Sequence, residues 1–223
     1  MKRIALILLA SISLGLSASV LAAGGGGMSA PAPVAPQKSS DQLAVENYNR
    51  GLKYRDRAWE FEEKMAAESD GRKKGKLAKK VAKNYKNAAK RFKAALKYND
   101  RLFQAHGSLG YALRKLGDYD AALVAYNTSL KLNPRYEEAI EYRGETYLAL
   151  GQLEATREAY MQLSQLGSKQ AAVLMAAIQT WLQNPPSSIP ATDVEAMREW
   201  ANERLALSAF VGDDAVAPDW SVH

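Results

Sequence analysis

One stretch of the 223 residues has the outward form of a nucleophile site: His106-Gly107-Ser108-Leu109-Gly110. A serine at a nucleophile elbow needs a glycine two residues before it and a strand leading into the turn. Here His106 stands at that position, and the flanking residues carry a helical pattern. Residues two apart on a helix do not face each other, so His106 cannot serve Ser108 as a base. His106 reads instead as a packing residue at a large-residue site of its helix. Asp213-Asp214 is a carboxylate pair, but acid–base work needs a shaped, dry pocket, and the sequence offers none there. The four glycines at 24–27 would cradle a phosphate only with a strand before them and a helix after, and neither pattern is present. Cysteine is absent and histidine occurs twice, which excludes thiolate catalysis, disulfides, iron–sulfur clusters and cysteine-ligated zinc. No catalytic residue, metal ligand or cofactor is assigned, and the expected mode of action is binding.

The residues arranged for binding are charged, and their charges are segregated. The chain is +6 with a pI near 9.3. Residues 72–97 hold 12 basic side chains and no acidic one. Without Lys2 and Arg3 the chain is +4, so everything outside the basic segment is −8. Lys79, Lys83, Lys86, Lys90, Lys93 and Lys97 repeat at helical spacing, while Tyr85, Ala88, Phe92 and Ala95 take the opposite side. Such a row is either a solvated face or a landing strip for an anionic partner: phospholipid headgroups, an acidic polysaccharide or an acidic protein. Nucleic acid is not expected, because no aromatics for base stacking are interleaved on that face.

The elements that position these residues begin after two segments without a core pattern. Residues 1–23 open with Lys2 and Arg3, continue through an apolar stretch and end Val20-Leu21-Ala22-Ala23, the form of a secretory signal cleaved near Ala22 or Ala23. The competing reading is a retained membrane anchor, since residues 4–23 are 20 uncharged residues. Ser11, Ser13, Gly15, Ser17 and Ser19 dilute the apolar character and favour cleavage. The chain is thus expected to be exported, to a bacterial periplasm or beyond the cell. Residues 24–40, GGGGMSAPAPVAPQKSS, read as a flexible linker, residues 41–208 as the folded domain, and residues 209–223 as a loose tail.

Within the domain the chain resembles itself at an offset of 34: Gly110 aligns with Gly144, Gly117 with Gly151, Ala122 with Thr156 and Tyr126 with Tyr160. Residues 102–116 form a helical pattern stopped by Gly117, and residues 119–132 a second one stopped at Asn133-Pro134. Each unit is therefore a helix hairpin, at 103–136 and 137–168. A weaker copy at 41–100 pairs Tyr48, Gly51 and Tyr54 with Tyr85, Ala88, Phe92 and Ala95, but its glycine-to-alanine separation is 37 against 12 in the clean unit. About 25 extra residues, half on each helix, predict a two-helix arm longer by about 18 Å. Trp59, Phe61 and Met65 would zip it to Leu77, Val81 and Tyr85 across a turn at 69–75. Two capping helices follow at 169–208, the first over 170–183 and the last opened by a capping box of Thr192 and Glu195.

The order Leu109-Gly110, Gly117-Asp118-Tyr119, Ala122, Tyr126, Pro134 at this spacing resembles the tetratricopeptide repeat (TPR) family. The resemblance implies an all-α solenoid of helical hairpins, here with an elongated first hairpin and a degenerate last one. It implies close crossings at Gly110–Ala122 and Gly144–Thr156. It also implies a concave groove lined by the first helices, which receives a peptide. The implied lining is Tyr48, Leu52 and Arg55 from the arm unit, Tyr111, Arg114 and Lys115 from the next, Glu138, Glu141 and Glu145 at helical spacing, then Met175 and Gln179. That surface suits a peptide with apolar and basic side chains, although a plain exposed acidic stripe would look the same. Some members grip a terminal carboxylate with lysine, arginine and asparagine; Gly107, Ser108 and the glutamates stand at those positions here, so this activity is not carried over. The expected function is an exported, non-enzymatic interaction scaffold, an adaptor or assembly factor of an envelope complex, binding a protein or peptide. The alternative is an anionic-surface binder acting through residues 72–97.

Overall fold

The computed structural model describes residues 37–213, with side chains through residue 207. The described helices belong to one compact unit that begins at Lys38. The expected leader, residues 24–36 of the expected linker and residues 214–223 of the expected tail lie outside the described residues.

Eight helices and no strand make up the described residues. Ser39 opens α1 (Ser40–Ala67) with a full capping box: its hydroxyl accepts from the Gln42 N–H, and the Gln42 side chain accepts from the Ser39 N–H. Asp70 opens α2 (Gly71–Tyr98) by accepting from the N–H groups of Arg72 and Lys73 at 2.8 and 3.0 Å. The arm turn is therefore residues 68–70 and not 69–75, because the Asp70 cap starts the helix before either glycine can break it. Gly71 and Gly75 lie inside α2, and a Cβ on Gly75 would meet nothing within 4 Å. Gly75→Ala should then raise stability by about 0.5–1 kcal/mol through helix propensity alone, read as a higher urea midpoint at an unchanged m-value.

Each arm helix has 28 residues, against 13 or 14 in the next five helices. At 1.5 Å per residue the arm is about 42 Å long. The next hairpins are α3 (Phe103–Lys115) with α4 (Tyr119–Leu132), and α5 (Glu137–Ala149) with α6 (Leu153–Gln165). The cap begins with α7 (Gln170–Gln183) and ends with α8 (Ala191–Asp213). Gly117, with φ +82°, closes α3 in a left-handed turn: its N–H donates to the Arg114 carbonyl and the Asp118 N–H to the Leu113 carbonyl. Gly151 repeats this bonding at the end of α5.

Each helix packs on its hairpin partner, and in the stack α3 also packs on α5 and α5 on α7. The second helices, α2, α4 and α6, have no comparable packing on one another. Elements that touch on one side and diverge on the other curve the stack, with the first helices on its inner face.

Large side chains pack against the small residues. The Tyr126 ring, fully buried, lies against Gly110, where a Cβ would come within 2.6 Å of it. Phe92 occupies the same relation to Gly51. A glycine backbone admits a flat ring where an alanine would hold it off, so an aromatic side chain fills the space over each of these two glycines. At Gly144 the expected partner is present, with the Thr156 hydroxyl 3.5 Å from the Gly144 carbonyl, but Leu174 and Ala159 fill the space beside it.

The last helix starts ahead of Thr192, since the Pro190 carbonyl already accepts from Asp193 and Val194. Thr192 thus sits inside the first turn, bonded to Asp193, and Glu195 pairs with Arg198, so the expected capping box does not form. The helix also continues to Asp213, past the expected start of the tail. In the loop before it, Ile189 reaches back to the α5–α6 turn and occupies the space a Cβ on Gly151 would need.

Candidate functional site

The inner face is built where α1, α3 and α5 come together, and aromatic side chains make the junctions. Trp59 was expected to zip the arm; instead its indole N–H donates to the Tyr111 hydroxyl at 2.7 Å, with the rings edge to face at 6.0 Å. Tyr111 leans on Tyr142 of α5, centroids 4.8 Å apart, and Tyr142 lies 6.3 Å from Tyr126. The Tyr136 ring covers Gly107, whose Cβ would meet it at 2.8 Å, and stands edge-on to Phe103. The space beside Gly107 is therefore filled by this chain's own tyrosine.

The ion pairs across this face are equally committed. Arg114 lies over the Tyr111 and Tyr142 rings and pairs with Glu145 at 2.5 Å. Lys115 pairs with Glu62 of the arm at 2.7 Å. Arg55 stacks on Trp59 at 4.2 Å and pairs with its neighbour Asp56 at 2.8 Å. Burial opposes the charge of Arg114, yet Glu145 outweighs it and raises the guanidinium above its ordinary range.

Four of the eleven implied lining residues are withdrawn from the surface: Tyr48, Tyr111, Glu141 and Met175 are 4, 9, 2 and 3% exposed. Tyr48 and Tyr111 hold α1 to α3, the former through a 3.5 Å contact with the Ser108 hydroxyl. Leu52, Arg55, Arg114, Glu138 and Glu145 remain half-buried, and Lys115 and Gln179 are exposed. The glutamate row is not a uniform acidic stripe, since Glu141 is buried and Glu145 is paired. Trp59, Glu62, Tyr136 and Tyr142 belong to this face as well. The available signal was Trp59 four residues from Arg55 with Glu62 three further on, and Tyr142 four residues from Glu138; Tyr136 precedes α5 and carries no such spacing.

Burial, followed by the charge of Glu141, raises the Tyr142 hydroxyl well above the usual tyrosine range. Burial also raises Tyr48 and Tyr136, and Arg55 and Glu138 are the charges felt at both. The floor of the face is therefore neutral and aromatic, and Arg55 and Glu138 act on its tyrosines from the rim.

Lys79, Lys83, Lys86, Lys90, Lys93 and Lys97 are all exposed along the outer side of α2. His106, on α3, bonds the Asp100 carbonyl through Nε2 at 2.8 Å and so ties down the loop leading from the arm. No group of three or more metal-ligating side chains occurs among the described residues. No helix among them is long and apolar enough to cross a membrane.

Residues 103–136 match the family described as tetratricopeptide repeat, the same residues as the first repeat unit. No curated protein matches the chain. Among solved structures, the first TPR domain of Spaghetti (RPAP3) bound to an HSP90 peptide is similar, at 20% identity over 64% of this chain and 95% of that one, with a TM-score of 0.46. The Arabidopsis OM64 TPR domain shows 16% identity over 60% of this chain and 98% of that one, with a TM-score of 0.37. The TPR2B domain of yeast Sti1 in complex with pHsp70 shows 15% over 70% and 98%, also with a TM-score of 0.37.

Proposed function

We propose that this protein is an exported interaction scaffold, an adaptor or assembly factor of an envelope complex, which holds a protein or peptide partner on the inner face of its hairpin stack. The observation that carries the reading is the tyrosine floor at the junction of α1, α3 and α5. Tyr111–Tyr142 packing and the Arg114–Glu145 and Lys115–Glu62 pairs fix three helices in one geometry before any partner arrives. A preformed face spares the partner's docking the cost of ordering it. With most inner charges paired internally, apolar contact with the floor supplies affinity, while Arg55 and Glu138 at the rim select orientation. Such a device works by binding and requires no chemistry of its own.

The test uses rim residues only, because Tyr111 and Glu141 are buried and their loss would unfold the unit. Crosslinked capture from the native envelope should recover a defined partner with the wild-type protein and lose it, by tenfold or more on roughly 1.4 kcal/mol of lost binding, with the Arg55→Glu, Glu138→Lys double variant. The variant should keep the wild-type circular dichroism, with a melting temperature lowered by the loss of the Arg55–Trp59 stack and the Arg55–Asp56 pair. Retention of the same partner by that folded variant would remove the inner face from the function.

A further inference from the structure

The inner face leaves the most strongly charged surface of the molecule without a role. Lys79, Lys83, Lys86, Lys90, Lys93 and Lys97 are exposed on one side of α2, and Arg72 and Lys76 extend the row toward the arm tip. At 100° per residue these eight fall within an arc of about 100°, along about 38 Å of one straight helix. Successive members are three or four residues apart, the spacing at which like charges on a helix repel. None of the eight forms an ion pair among the described residues, and every ion pair found there lies elsewhere in the unit. The row is thus kept against its own repulsion, with no acidic partner among the described residues.

We propose that the outer face of α2 docks the arm lengthwise on an anionic lipid bilayer. The opposite side of α2 is committed to the hairpin core through Tyr85, Ala88, Phe92 and Ala95, all buried, so the helix has no apolar face left to insert. Attachment is therefore electrostatic and peripheral. Seven of the eight cations are lysines, compact point charges on flexible stems, which suit a diffuse field of headgroup phosphates better than paired recognition of single carboxylates. A bilayer offers negative charge along the whole line without a register to satisfy. An acidic protein would have to place carboxylates over the same length at matching intervals.

The full-length protein would be mixed with vesicles of phosphatidylcholine alone and with vesicles containing about 30% phosphatidylglycerol. The neutral vesicles measure any attachment through the apolar residues near the N-terminus. Binding to the anionic vesicles should exceed binding to the neutral ones by at least roughly tenfold, and should fall at least as far between about 50 and 300 mM salt. Each lysine near the surface contributes about fivefold. The quadruple variant Lys83→Glu, Lys86→Glu, Lys90→Glu, Lys93→Glu should therefore lose roughly a hundredfold or more, and the matching glutamine variant an intermediate amount. Both should keep the wild-type circular dichroism, with a melting temperature no lower than the wild type's. Equal binding to both vesicle types, or anionic binding untouched in the folded variants, would overturn the proposal. So would failure to bind the anionic vesicles while soluble polyglutamate, dextran sulfate or a second copy of the chain associates in a lysine-dependent way.

Discussion

Gly110→Ala should lower the unfolding free energy by about 2 kcal/mol, and Gly110→Val by about 4 kcal/mol or more. Helix propensity alone would give the opposite sign, since alanine is favoured over glycine in a helix interior by about 1 kcal/mol. The new Cβ, however, would lie 2.6, 2.7 and 2.9 Å from the Cε1, Cδ1 and Cζ atoms of Tyr126. That ring is fully buried and backed by Tyr142, so it has no free space to swing into. Either α3 and α4 separate or Tyr126 leaves its rotamer, and the adjoining α5 is disturbed in both cases. For a unit of this size a 2 kcal/mol loss is a fall of about 4–8 °C in melting temperature. Because the colliding atoms belong to the ring and not its hydroxyl, Tyr126→Phe should not rescue Gly110→Ala. Tyr126→Leu should show a favourable coupling in a double-mutant cycle. An unchanged or raised melting temperature for Gly110→Ala would mean that the ring does not pack on Gly110 in solution.

Stability should also collapse on the alkaline side. Burial is the leading cause that raises the hydroxyls of Tyr48, Tyr85, Tyr126, Tyr136 and Tyr142 above the ordinary value. A raised value means that the folded state keeps a proton which the unfolded chain gives up above about pH 10. The stabilisation is therefore complete below that pH and is lost as pH rises beyond it. Tyr85 and Tyr126 are fully buried, and together they remove up to roughly 3 kcal/mol of stability per pH unit in that window. Against a total on the order of 5–15 kcal/mol, two pH units remove up to roughly 5 kcal/mol, so the urea midpoint should fall steeply above about pH 10. Neither hydroxyl has a well-formed hydrogen bond, so Tyr85→Phe and Tyr126→Phe should be tolerated at neutral pH and should flatten the alkaline slope. Urea unfolding followed by helical circular dichroism at a series of alkaline pH values measures this slope. Tyrosinate absorbance that develops fully while the helices persist would contradict it.

Those two sites also show how far a sequence can be read. Hairpin boundaries were legible because Gly117 and Gly151 recur at 34 residues and each is required by a left-handed turn that ends a helix. The bounds read for α4 and α7 coincide with the observed ones for the same kind of reason, a stop at Asn133-Pro134 and another before Pro185-Pro186. Glycines mislead where a stronger local signal overrides them. Asp70 caps α2 and carries Gly71 and Gly75 into the helix, just as Pro190 starts α8 before Thr192 can act. The inner face was legible as a side of the helices but not as a depth. Glu138 and Glu141 are three residues apart, about 60° around the helix, and that rotation takes one to the rim and the other into the interior. Tyr136 over Gly107, and Trp59 turned from the arm toward Tyr111, depend on how neighbouring hairpins meet. Periodicity within one hairpin does not carry that information.

The positive charge of the chain is concentrated on one rod, and the rest is net negative. The protein is consequently a strong electric dipole, and its orientation is set before contact. In the field of any negatively charged body it turns arm-first during diffusion, because the remainder is repelled while α2 is drawn in. The torque acts at a distance limited by the Debye length, so dilute salt accelerates correctly oriented encounters more than it strengthens the contacts that follow.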